Sequence, residues 1–98
     1  MDRILIRDTI AKEHAETIAL QGLAFLAGRD EDIERFLRNS GLDADALRAR
    51  AADPDVLRAV IEYILAGDAT TQDFCAASGL NPRALHAAGH ALGSFREI

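Results

Sequence analysis

The chain has 98 residues, 49% apolar and 28% charged, with a net charge of −5, one domain's worth of sequence with an ordinary globular balance. The acidic balance weighs against nucleic acid or an anionic membrane as the main partner, since both reward a basic surface. The lone Cys75 excludes an internal disulfide and makes a reducing cytoplasm the expected location, and the longest apolar run, 18–27, is interrupted by Gln21 and Gly22 and falls short of the roughly 20 residues of a membrane span.

Abundant Ala and few aromatic residues favour helix along the whole chain. Residues 1–7, with Ile4-Leu5-Ile6 between Arg3 and Arg7, read as a short extension, too short in its apolar part for a signal peptide. Asp8 or Thr9 is expected to cap a first helix that runs to about Ala27 and ends at Gly28. Its later part, from Ile18 to Ala27, is apolar nearly all round, so neighbours must cover it on several sides. Gly22 costs up to about 1 kcal/mol there against Ala, which a close helix crossing would offset. Asp30 is expected to open a second helix over 31–39. Its acids Glu31, Asp32 and Glu34 suit the positive end of the dipole, and Ile33, Phe36 and Leu37 form its apolar face.

A turn at Ser40-Gly41-Leu42-Asp43 leads to a third helix over 44–52. Asp53-Pro54 is a cap followed by Pro at the first helical position, starting a fourth helix over 54–66 with Leu57, Val60, Ile61, Ile64 and Leu65 as its stripe. Gly67 ends it, and Asp68 or Thr70 starts a fifth helix that reaches Ser78. The turn Gly79-Leu80-Asn81-Pro82 starts a sixth over 82–93, and Phe95 and Ile98 close the chain.

The two turns share one chemistry. Gly41 and Gly79 stand where a helix end turns left-handed and a Cβ is penalised. Asp43 and Asn81 stand where a cap accepts an orphan backbone N–H. Leu42 and Leu47, like Leu80 and Leu85, have the spacing of a hydrophobic staple across the cap. The fold expected is all-α: one domain over 1–98, a compact bundle of about six short helices with helix-turn-helix corners. Two accounts of the repeated turn stand side by side. Either the chain duplicates a three-helix unit, 9–52 and 54–95, or good capping chemistry converged twice on Gly-Leu-Asx.

The stretch 15–27, Arg35-Phe36-Leu37 with Ser40-Gly41-Leu42, Asp53-Pro54 with Val56-Leu57 and Tyr63-Ile64-Leu65, and Phe74 with Gly79-Leu80 and Pro82 together carry a likeness. Over roughly 9–93 the chain resembles a small bacterial family, seen mainly in alphaproteobacteria and described as domain of unknown function 3572. The resemblance implies an all-helical cytosolic bacterial protein, and it brings no activity, cofactor or catalytic residue with it. Ile4-Leu5-Ile6 lies outside it.

The residues bear on four classes of function. A DNA-binding helix-turn-helix would offer Arg83, His86 and His90 from the last helix, or Arg48 and Arg50 from the third, to a groove. Asp73, Asp32 and Glu34 on the flanking helices oppose phosphate. His86 and His90, four apart on a helix, could begin a metal site, but no third ligand is evident. Cys75 has Asp73 and Phe74 as neighbours, not the electropositive setting of a reactive thiol, and no catalytic arrangement stands out. The remaining class, reached mostly by elimination, is a protein-interaction or regulatory module without catalytic activity. Arg35, Arg38, Arg48 and Arg50 would form its charged rim. Ile4, Leu5, Ile6, Phe95, Ile98 and surplus apolar surface on the first helix would form its patch. The expected partner is an unidentified protein or a second copy, with no membrane, no metal and no cofactor; DNA binding is the alternative.

Overall fold

In a computed structural model, which describes the backbone of residues 2–97 and the side chains of residues 12–93, the chain forms six helices in sequence order. They are α1 (Asp2–Ala27), α2 (Asp30–Ser40), α3 (Ala44–Ala49), α4 (Pro54–Ala66), α5 (Asp68–Ser78) and α6 (Pro82–Glu97). The protein is an all-α bundle. Its centre is the mutual packing of α1, α4 and α6, with α2 laid on α1 and α4, and α5 on α4, α1 and α6.

Small residues on the outer two of these three helices let α4 come close. A Cβ built on Gly22 of α1 would stand 2.9 Å from Ile64 Cδ1 and 3.2 Å from Val60 Cγ1. On α6, a Cβ at Gly89 would stand 3.1 Å from Ile61 Cγ2. Real Cβ contacts are rarely so short, so the glycines set the helix separation and the branched side chains of α4 fill it. This is the close crossing that the mid-helix Gly22 suggested. Around it Ala15, Ile18, Ala19, Leu26, Val56, Leu57, Val60, Ile61, Ile64, Leu85, Ala88 and Leu92 are buried.

Helices α2 and α5 each add one large ring to this core. Phe36 of α2 and Phe74 of α5 are both 1% exposed. Phe36 meets Tyr63 of α4 edge to face at 5.9 Å, and Phe74 meets Phe25 of α1 in the same manner at 5.3 Å, the geometry that ring quadrupoles favour. The apolar part of α1 is covered on one side only: Ile18, Ala19, Gly22 and Leu26 are buried and Leu23 and Phe25 half-buried, while Leu20, Ala24 and Ala27 are exposed. Leu20, 46% exposed, is the one large apolar side chain left open among the described residues, so the expected surplus patch on α1 does not form there. Ile4, Leu5, Ile6, Phe95 and Ile98 lie outside the described side chains.

Both corners have the geometry expected of them. Gly41 (φ 77°, ψ 10°) and Gly79 (φ 79°, ψ 5°) are left-handed, and each donates its N–H to the residue four back, Leu37 and Cys75. The Asp43 carboxylate accepts the Ala46 N–H at 2.8 Å, and the Asn81 side chain accepts that of Ala84 at 2.9 Å. Leu47 and Leu85 are buried, while Leu42 and Leu80 pack half-buried against the core.

Several boundaries differ from the sequence expectation. The backbone of α1 is helical from Asp2, so residues 2–7 continue the helix and are not a separate extension; no Gly or Pro in that stretch breaks it. The cap position of α2 is Arg29, whose side chain makes no capping bond, and Asp30 is already helical. Helix α3 stops at Ala49, three residues early. The Arg50 N–H is shared between the Ala46 and Leu47 carbonyls, and the chain must turn extended before Pro54. Asp53 occupies the cap position of α4 without capping it; its carboxylate accepts from Arg50 Nε at 2.8 Å. Helix α6 runs past Gly93 to Glu97, because Gly93 faces Arg58 of α4, 3.3 Å from an added Cβ to Nε, and serves packing instead of termination.

Candidate interaction surface

A polar network joins α2, α4 and α5 beside the end of α1. Asp32, in the first turn of α2, is 7% exposed and is the buried charged residue among those described. Its carboxylate accepts from Arg29 Nε at 2.6 Å and from the Tyr63 hydroxyl at 2.8 Å. Arg29 reaches on to Asp73 of α5 with Nη1 at 3.0 Å, and its guanidinium lies 4.9 Å from the centre of the Phe25 ring. One Arg in the α1–α2 linker is thus held by two carboxylates and a ring face. The Asp73 hydrogen bond and then the Asp32 bond raise the already high Arg29 pKa, so this group stays a cation throughout the physiological range.

Tyr63 is the single tyrosine of the chain, and its pKa is raised above the ordinary 10.0. Burial is the largest cause, followed by the hydrogen bond it donates to Asp32 and the nearby Asp32 charge; Arg35, on the next turn of α2, pulls the other way. A raised folded-state pKa means the protonated phenol is favoured by folding. Its contribution is whole below pH 10.0 and is lost as pH rises through the folded-state value. Ultraviolet phenolate absorbance reads this group alone. The expected titration lies above that of free tyrosine and moves down in Asp32→Asn, where the charge is gone. A midpoint unchanged by the substitution would mean the Asp32 contact has no effect on the phenol.

Next to the network, α2 and α4 enclose a shallow groove of about 250 Å³. Phe36, Ala59 and Ala66 give it an apolar floor, and Asn39, Ser40, Glu62 and Tyr63 a polar rim. Arg35 and Arg38 are exposed on α2; Arg35 precedes Asn39, which lines the groove, by one helical turn and so shares its side of the helix, while Arg38 is turned away from it. Arg48 and Arg50 belong to the α3 corner instead. Arg48 Nη1 meets Asp45 at 3.1 Å and Arg50 Nε meets Asp53 at 2.8 Å, each within its own segment. The four Arg anticipated as one rim thus stand on two elements, Arg35 and Arg38 exposed on α2, and Arg48 and Arg50 facing local acids at the α3 corner.

Two smaller depressions lie elsewhere. One of about 240 Å³ sits between α4, α5 and α6, lined by Leu65, Asp68, Thr71, Gln72, Pro82 and His86. One of about 120 Å³ sits between α1 and α6, where His14 faces Ala84, Ala87 and Ala88. His86 and His90 are exposed on α6, and Cys75 is half-buried on α5. Among the described residues no three His, Cys, Asp or Glu side chains gather closely enough to share a metal ion. No helix there is long and apolar enough to cross a membrane.

The Asp32–Tyr63–Arg29–Asp73 network was not foreseen. Asp32 and Asp73 read in the sequence as a dipole-favoured acid and a phosphate-repelling one. Arg29 and Asp32 are three residues apart, but Tyr63 and Asp73 lie 31 and 44 residues from their partners, and no local spacing connects those. The signal available was the presence of one Tyr in an otherwise aliphatic helix stripe, whose hydroxyl needs a partner when buried.

A family model described as protein of unknown function (DUF3572) matches residues 12–94. No curated protein and no solved structure matches the chain.

Proposed function

The chain belongs to the DUF3572 family, and we propose that this member is a small cytosolic protein-interaction or regulatory module without catalytic activity, docking a protein partner on its α2–α4 side. The supporting observation is the groove itself, an apolar floor of Phe36, Ala59 and Ala66 with a polar rim, on the helix that carries the exposed Arg35 and Arg38. An apolar centre ringed by polar groups, with Arg at the edge, is the composition that protein interfaces favour.

The alternative is a DNA-binding helix-turn-helix, favoured by the α5–Gly79–α6 corner and by Arg83, His86 and His90 on the outward side of α6. Weighing against it, α6 spends its opposite side, Leu85, Ala88 and Leu92, on the bundle core. In the earlier corner, α3 is only six residues long and its Arg48 faces Asp45. Asp73 stands on α5, where a phosphate contact would be wanted.

Titration of random duplex DNA at low salt separates the two. No binding is expected; binding that weakens steeply with added salt would favour the alternative. In the same series, Arg35→Glu with Arg38→Glu is expected to abolish co-purification of a partner from native extract, while Arg48→Glu leaves it intact. Loss of the partner with Arg48→Glu alone would place the docking face on the α3 corner instead.

A further inference from the structure

Helix α5 differs from its neighbours in how it is attached. A single residue, Gly67, joins it to α4, and the left-handed Gly79 ends it. Phe74 is the one buried side chain on its 11 residues. The helix is further held by the half-buried Cys75, the hydrogen bond from the Thr71 hydroxyl to the Ile64 carbonyl at 2.7 Å and the ion pair from Asp73 to Arg29 at 3.0 Å. Helix α4, by contrast, buries Val56, Leu57, Val60, Ile61 and Ile64.

We propose that α5 is a flap, hinged at Gly67 and Gly79 and latched by Asp73 on Arg29, which opens while α1, α4 and α6 stay packed. Local opening follows segments with few buried contacts, and α5 has one fully buried ring to withdraw. Opening takes the Phe74 ring off Phe25, so the hidden side of Phe25 and the recess that held Phe74 become accessible. Arg29 keeps Asp32 throughout, so release of α5 leaves no uncompensated charge behind. The latch is half in water, with Arg29 41% and Asp73 53% exposed, and a pair so placed is screened by salt. The ring sets most of the cost of opening, and ionic strength adjusts it through the latch. This inference concerns the fold alone and holds whichever class of partner the groove receives.

Hydrogen exchange of the whole chain, read helix by helix, tests it. Amides of 68–78 are expected to exchange ahead of those in α4 and in the buried stretch of α6. Asp73→Asn should speed them a further roughly two- to five-fold, the range for an exposed pair, with α4 and α6 unchanged. Added salt should have the same effect on the native chain and little on Asp73→Asn. The control Asp45→Asn, which removes the exposed Arg48 pair, should leave α5 unaltered. Equal protection of α5, α4 and α6 would overturn the flap, and so would an Asp73→Asn variant that speeds all three helices alike.

Discussion

Replacing Phe36 by Ala is expected to destabilise the protein by about 3–5 kcal/mol, the range for removing a buried aromatic side chain. Phe36 is 1% exposed, and it is the ring by which α2 meets Tyr63. Removing it forfeits the transfer energy of the ring, leaves a cavity against α4, and loses the edge contact to the phenol. The cavity would open onto the neighbouring groove, whose floor includes Phe36, so water can enter it and part of the cavity cost is relieved; the lower half of the range is the better expectation. Domains of about 100 residues have roughly 5–15 kcal/mol in all, and each kcal/mol moves Tm by about 4–8 °C at this size. Thermal unfolding followed by circular dichroism checks it. A shift of only a few degrees would mean that α2 is not held by this ring.

The second large effect is expected at Gly22. Gly22→Leu should cost about 3 kcal/mol, the upper end for overpacking a core. A Cβ alone already meets Ile64 and Val60 inside contact distance, and both of those side chains are fully buried. Three further carbons must push α1 from α4 along the main seam of the bundle. Gly22→Ala is the informative comparison. It gains helix propensity, up to about 1 kcal/mol, and places one methyl against the far end of Ile64, a mobile atom, so the two effects nearly cancel. Denaturant midpoints of the pair measure both. A Leu variant as stable as the Ala variant would show that the helices separate at no cost.

The parts of the fold that could be read from the sequence are those decided within a few residues. The corners at Gly41 and Gly79 depend on a glycine, a capping side chain and a leucine, all inside one turn of each other, and they came out as read. The bounds of α4 follow from Pro54 and Gly67 in the same way. The close crossing at Gly22 was legible because a glycine inside an apolar helix needs a reason. The start of α1 and the ends of α3 and α6 were harder. Asp8 and Thr9 are good caps only if the chain enters from outside the helix, and here it is already helical. Gly93 has two uses, stopping a helix or admitting a neighbour, and only the position of Arg58 decides between them. The candidate site was least legible. The groove has α2 as one wall and α4 as the other, and nothing in the spacing of α2 shows which helix lies opposite. The Arg29–Asp32–Tyr63 cluster is tertiary in the same sense: the acid and the phenol are 31 residues apart.

At Gly41 and Gly79 a built Cβ meets nothing within 4 Å. Each corner is open to solvent on that side, so its demand on the residue is one of handedness and not of room. An L-residue there pays only for its own backbone, with Asn the least costly of them, whereas a mirror-image alanine would sit in its natural conformation and leave the chain fewer ways to be unfolded. The bends of this bundle are thus chiral constraints with free volume beside them. The seam between α1 and α4 is the reverse: no hand is required at Gly22, and no space is left.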